Sequence, residues 1–195
     1  MFPIFTSAKT ILLLGDSLSA GYGLKKIEDG WPTLLQARLS EKYPDYQLVN
    51  DSVSGETTSN GLFKLPSALA AYHPDIVIVA YGANDGLRGL DLNAMKKNLT
   101  QMIVLIEKSH AKVLLAGVRL PPNYGTKYTE AFQQVYIDLA KKYPVTLVQN
   151  LLQNVDEHPE LMQADALHPN EKAQPIILEN VWKGLVMRLT EDAPR

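Results

Sequence analysis

Asp75-Ile-Val-Ile-Val-Ala-Tyr81 is the stretch on which the fold turns. It is an unbroken apolar run, β-branched through its centre, with Pro74 before it and Gly82 after it. A strand half exposed to water alternates apolar and polar residues. A strand buried on both faces, as in a parallel sheet, reads as a continuous run. Four further segments are strand candidates. Thr10-Ile-Leu-Leu-Leu14 stops at Gly15-Asp16-Ser17; Tyr46-Gln-Leu-Val-Asn50, Lys112-Val-Leu-Leu-Ala-Gly-Val118 and Val145-Thr-Leu-Val148 complete the set. Helical patterns fill the gaps: 31–43, 61–72 (where Pro66 predicts a kink or restart), 93–109, 129–142 and 171–189. The clearest is Met95, Leu99, Met102, Ile103 and Ile106, a stripe at helical spacing. Strands alternating with helices imply right-handed βαβ units. The expectation is therefore an α/β chain, a three-layer α/β/α domain around five parallel strands.

Size and composition agree. The chain has 195 residues, 46% hydrophobic and 21% charged, which suits one globular domain spanning 1–195. A formal charge of −2 supplies no field that would draw the protein to nucleic acid. No apolar run approaches the roughly 18 residues of a membrane span, so no stable membrane insertion is expected. There is no cysteine, hence no disulfide framework, thiolate nucleophile or sulfur metal site. Residues 1–9 read as an N-terminal tail, or as the remnant of an export signal, because small Thr6-Ser7-Ala8 follows apolar Met1-Phe-Pro-Ile-Phe5.

Ligands of open α/β sheets bind beyond the carboxyl ends of the strands. Here those ends carry Gly15-Asp16-Ser17, Asp51-Ser-Val-Ser-Gly55, Gly82-Ala-Asn84-Asp85 and Arg119-Leu-Pro-Pro-Asn123. Ser17 would stand at the top of the sheet, as an exposed hydroxyl or as the N-cap of a following helix. Serine is not nucleophilic without a base, so the four histidines decide. His73 and His110 precede strands, at the wrong end of the sheet. His158 lies in a polar loop. His168, in Asp165-Ala-Leu-His168-Pro169, follows the last strand, and Pro169 keeps it extended. Asp165 three residues earlier can hold the imidazole Nδ1, leaving Nε2 to take a proton from a hydroxyl; a simple capping turn is the alternative. A histidine base predicts activity rising through roughly pH 6–7, where imidazoles lose their charge. A negative oxygen formed in the reaction would need donors. The Ser17 N–H, the Gly55 N–H (no Cβ obstructs its approach) and the Asn84 amide are candidates, although Gly55 and Asn84 also read as ordinary turn residues.

Gly15-Asp16-Ser17-Leu18-Ser19, Gly55, Gly82-Ala83-Asn84-Asp85 and Asp165-Ala166-Leu167-His168-Pro169, in that order, resemble the four blocks of the SGNH (GDSL) hydrolases. The resemblance covers nearly the whole chain. It implies Ser17 as nucleophile, His168 as general base and acid, Asp165 as its orienting partner, and the Ser17 N–H, Gly55 and Asn84 as an oxyanion hole. Ala83 departs from the second glycine frequent in close relatives, and its methyl would narrow the crevice. The implied activity is hydrolysis of carboxylic esters and thioesters, of arylesterase, acyl-CoA thioesterase or lysophospholipase type. It requires no cofactor and no metal, in keeping with the lack of an H-E-x-x-H cluster. Leu18, Leu87, Leu120, Pro121, Pro122 and Tyr124 are expected to form an acyl groove. Arg88 and Arg119 read either as contacts for an anionic head group or as solvated side chains. The partner is a small acyl ester or thioester, the expected oligomeric state is monomer, and the resemblance implies a periplasmic enzyme, with cytoplasmic as the alternative.

Two other readings of the same architecture are a carbohydrate O-acetylesterase and a flavodoxin-like nucleotide-binding module. The second lacks a G-x-x-x-x-G-K-[ST] phosphate loop. It also lacks a G-x-G-x-x-G turn, since Gly21-Tyr-Gly23 is followed at the third position by Lys26. A binding domain that has lost catalysis on the hydrolase scaffold is disfavoured because all four blocks are intact.

Overall fold

The computed structural model describes residues 8–190. Five strands, β1 (Lys9–Gly15), β2 (Tyr46–Asn50), β3 (Ile76–Ala80), β4 (Lys112–Ala116) and β5 (Thr146–Val148), form one sheet in the order β2-β1-β3-β4-β5. Every pairing is parallel. Lys9 already belongs to β1, so the expected N-terminal tail ends earlier than residue 9; its first seven residues, with the small Thr6-Ser7 pair, lie outside the described residues.

The sheet is buried because helices cover both faces. On one side α2 (Trp31–Lys42) packs against α7 (Gln174–Thr190); on the other α3 (Thr58–Tyr72), α5 (Leu92–Lys108) and α6 (Thr126–Lys142) pack in series. Two short helices complete the set, α1 (Ser17–Ala20) after β1 and α4 (Ala83–Leu87) after β3. Ile11 to Leu14 and Ile76 to Val79 are wholly removed from water. Each such aliphatic side chain contributes about 1.5–3 kcal/mol, and that burial explains why their sequence does not alternate.

The helix at 58–72 starts earlier than its apolar pattern and runs through Pro66 without restarting. Asn60 Oδ1 accepts from both the Thr57 N–H (3.0 Å) and the Thr57 hydroxyl (2.8 Å), which fixes the first turn. Proline in a helix interior costs about 3 kcal/mol; burial of Thr58, Gly61, Leu65 and Ala68 along one face offsets it.

The strand order reverses beside β1. The chain leaves β1 through α2 on one face and returns to β3 through α3 on the other. A crevice opens between the loops at such a reversal. The loops after β1, β2, β3 and β4 all meet there, as parallel strands require. Among the described residues no helix is long and apolar enough to cross a membrane.

Candidate active site

The first loop makes the sharpest turn. Asp16, not Ser17, caps α1: its Oδ1 accepts the Leu18 N–H at 3.1 Å. With the cap supplied by its neighbour, Ser17 is the first residue inside the helix and its hydroxyl is left for other work. Ser17 Oγ lies 2.9 Å from His168 Nε2.

On the far side of the imidazole, Nδ1 lies 2.6 Å from Asp165 Oδ2. The two readings of Asp165 are both realised, one on each oxygen. Oδ1 accepts the N–H groups of Leu167 and His168, each at 3.0 Å, and closes the turn. Oδ2 meets the ring. Partial burial pushes the Asp165 carboxyl up, but the His168 ring and the two N–H groups outweigh it and hold the group down at about 2. An ionised carboxylate only accepts, so Nδ1 carries the proton and Nε2 presents its lone pair to the serine hydroxyl.

Tyr22 was not singled out by its sequence. Its ring lies 4.5 Å from that of His168, tilted by 44°. Gln163 donates to the Tyr22 carbonyl (2.8 Å) and to the Pro169 carbonyl (3.0 Å), tying the α1 loop to the histidine loop.

Asn84 sits in the first turn of α4. Gly82 before it has φ +122°, and a Cβ there would stand 2.1 Å from the Tyr136 hydroxyl, so the turn requires glycine. The Asn84 amide donates to the Glu56 carbonyl at 3.0 Å, leaving its second N–H, and its Oδ1 lies 3.4 Å from Arg88. Asp85 beside it is buried and accepts the Thr58 N–H (2.9 Å) and hydroxyl (2.6 Å), which locks α4 to the start of α3.

Asp16 is also buried. Burial raises its carboxyl to about 7, with the nearby Asp85 adding to the shift; the Leu18 N–H and Asn84 act in the opposite sense. Among the described residues its Oδ2 has no hydrogen-bond partner.

A cavity of about 680 Å³ opens from Ser17, Asn84 and His168. Leu18, Leu87, Val118, Leu120, Pro121 and Met162 supply apolar wall, and Arg119, Glu130, Asp156 and Glu157 supply a charged end. Asp165, behind the His168 ring, stands apart from this lining, and so do Gly55, Tyr124 and Arg88. Gly55 lies on the neighbouring loop, its carbonyl accepting from Arg88 at 2.8 Å. Tyr124 is turned away: its hydroxyl donates to the Leu87 carbonyl (2.9 Å) and its ring stacks on Tyr128 at 6.3 Å. It supports the wall from behind. Arg119 is exposed to solvent, but its guanidinium is already paired rather than open to an anionic ligand. Asp156 takes it in a fork (3.1 and 2.8 Å) and Glu157 adds a contact at 2.7 Å, raising the guanidinium pKa above its ordinary value. His73 and His110 are exposed at the opposite edge of the sheet, and the His158 ring meets Glu160, at 3.2 Å.

A doubly wound sheet bearing this site at its carboxyl edge defines the class, an α/β/α hydrolase. Residues 13–175 match the model of the GDSL-like lipase/acylhydrolase family. The chain belongs to that family and is an ester-hydrolysing enzyme. It is 45% identical to an arylesterase of Vibrio mimicus, over 94% of this chain and 91% of the relative. It is 40% identical to thioesterase 1/protease 1/lysophospholipase L1 of Escherichia coli strain K12, over 96% and 88%. The crystal structure of TesA superposes with a TM-score of 0.90 at 44% identity, covering 92% of this chain and 99% of that one.

Proposed function

We propose that the chain, residues 1–195, acts as one monomeric catalytic domain that hydrolyses acyl esters and thioesters through an acyl-enzyme on Ser17. The carrying observation is the hydrogen-bonded line from Asp165 through His168 to Ser17, which ends at the apolar cavity. Ser17 Oγ attacks the carbonyl carbon as His168 Nε2 takes the hydroxyl proton. Asp165 stays ionised and stabilises the imidazolium. The oxygen that becomes negative is met by the Ser17 N–H, the Gly55 N–H and the second N–H of Asn84. When the tetrahedral intermediate collapses, the bond to the leaving group breaks and His168 protonates the departing alcohol or thiol. Water, deprotonated by the same nitrogen, then attacks the acyl carbon and releases the acid and Ser17.

Leu18, Leu87, Leu120 and Pro121 support a fatty or aromatic acyl group. Names of relatives point the same way: arylesterase, and thioesterase with lysophospholipase. A series of p-nitrophenyl esters from acetate to palmitate, run on the wild type and on Ser17→Ala, tests the proposal. Turnover that peaks beyond acetate and vanishes in the variant supports it. Activity confined to acetate, together with release of acetate from acetylated sugars, would favour the carbohydrate O-acetylesterase reading. An exported, periplasmic enzyme is the location that the family likeness supports against a cytoplasmic one, and fractionation of the source cells decides between them.

A further inference from the structure

Arg88 is exposed, does not line the cavity, and forms no ion pair among the described residues. Its Nη2 donates to the Gly55 carbonyl at 2.8 Å and stands 3.4 Å from Asn84 Oδ1. Gly55 belongs to the loop after β2 and Asn84 to the helix after β3, so one guanidinium nitrogen bridges the two loops that carry the non-serine donors. We infer that Arg88 is a positioning residue for the oxyanion hole: it fixes the Gly55 backbone and the sense of the Asn84 amide.

An amide can turn about its last bond and exchange its oxygen for its NH2 group. A guanidinium is a pure donor, so Arg88 accommodates only Oδ1, and the NH2 group must face the other way. There the Glu56 carbonyl takes one N–H at 3.0 Å, which leaves the second for a developing oxyanion. Glu56 is itself held. Its carboxylate accepts from the Tyr81 hydroxyl at 2.7 Å and pairs with Lys64 at 3.0 Å, and Lys64 also reaches the Asp51 carbonyl. The amide is thereby held from both sides by groups that do not touch substrate. The unpaired positive charge adds a favourable field for an oxygen turning negative nearby. Donors fixed before the reaction contribute most to the transition state and little to the bound ester.

The inference rests on the proposed oxyanion hole, so Asn84→Ala is the reference. Arg88→Met and Arg88→Lys are compared with it by kcat and KM on a p-nitrophenyl ester and by inhibition with an alkylboronic acid. The boron of that probe bonds to Ser17 Oγ and presents an oxygen to the hole. Thermal melting establishes that each variant is folded. Losing a whole oxyanion donor costs about 10²–10³ in turnover; a donor left free to turn is expected to cost about 10-fold. Arg88→Met is expected to lower kcat by that factor with KM within about 2-fold, and to weaken the boronate in parallel. Arg88→Lys, which keeps the charge but loses the fork, is expected to fall between. Free guanidinium is expected to restore part of the loss in Arg88→Met. If Arg88→Met turns over and binds boronate as the wild type does, or raises KM alone, the inference is overturned while the hole stands. If Asn84→Ala itself is fully active, the underlying reading fails first.

Discussion

Ser17 Oγ and His168 Nε2 lie 2.9 Å apart although 151 residues of chain separate them. The first is delivered by the turn after the central strand, the second by a loop that Asp165 closes just before the last helix. Removing either partner breaks one unit. Ser17→Ala and His168→Ala are each expected to lower kcat by on the order of 10⁴–10⁶, with the double variant scarcely worse than the singles. Steady-state assays on a p-nitrophenyl ester, with melting curves alongside, measure both points.

Asp165→Asn keeps the size of the side chain but removes its charge and allows the wrong imidazole tautomer. A loss of about 10²–10⁴ in kcat is expected. The pH profile adds an independent check. Because the Asp165 pKa is lowered to about 2, the stability it lends is present above the carboxyl's ordinary range and is lost only as pH falls through about 2. The carboxylate thus remains charged over the working range of the enzyme. No ionisation is expected on the acid limb of kcat/KM in the ordinary carboxylate range of about pH 4; one there would place Asp165 in a different state.

Asn84→Ala is expected to cost about 10²–10³ in kcat with a small change in KM, the pattern of an interaction made in the transition state. Asn84→Asp, which replaces a donor with an acceptor, is expected to fare worse. Boronate affinities of the same variants measure the loss without turnover.

The buried Asp16 carboxyl is raised to about 7 from its ordinary 3.8, so its sign is opposite to that of Asp165. Between those two pH values the folded chain keeps a proton that the unfolded chain has released. Its contribution therefore falls as pH rises from about 4 to about 7 and is flat above, a change on the order of 4 kcal/mol. Asp16→Asn can still accept the Leu18 N–H and has nothing to ionise. Melting temperatures at pH 5 and pH 8 are expected to differ less in the variant than in the wild type; equal differences would show that Asp16 does not titrate in this interval.

Strands are legible in this sequence because Ile76 to Val79 and Ile11 to Leu14 are buried on both faces, and that burial writes itself as unbroken aliphatic runs. Helix starts are less so. Thr58 and Thr126 begin helices ahead of their apolar stripes, since capping by Asn60 and the Gly125 turn, not periodicity, sets those ends. The members of the hydrogen-bonded line were legible as candidates, since each sits in a short motif at a strand end or beside a proline. What was hidden depends on which atom meets which across the fold. Asp16 takes the cap that the sequence also offers to Ser17. Tyr124 spends its hydroxyl on Leu87, Arg119 is claimed by Asp156 and Glu157, and Tyr22 covers the imidazole. Arg88 reads as either a head-group contact or a solvated side chain until Gly55 and Asn84 are seen on either side of it.

The most direct test of the central claim is covalent labelling with an alkyl fluorophosphonate, read by intact mass and peptide mapping. One adduct per chain is expected, on Ser17, formed in step with the loss of esterase activity and slowed severely in His168→Ala. An adduct on another residue that accounts for the lost activity, or a Ser17→Ala protein that still hydrolyses esters at the wild-type rate, would contradict it.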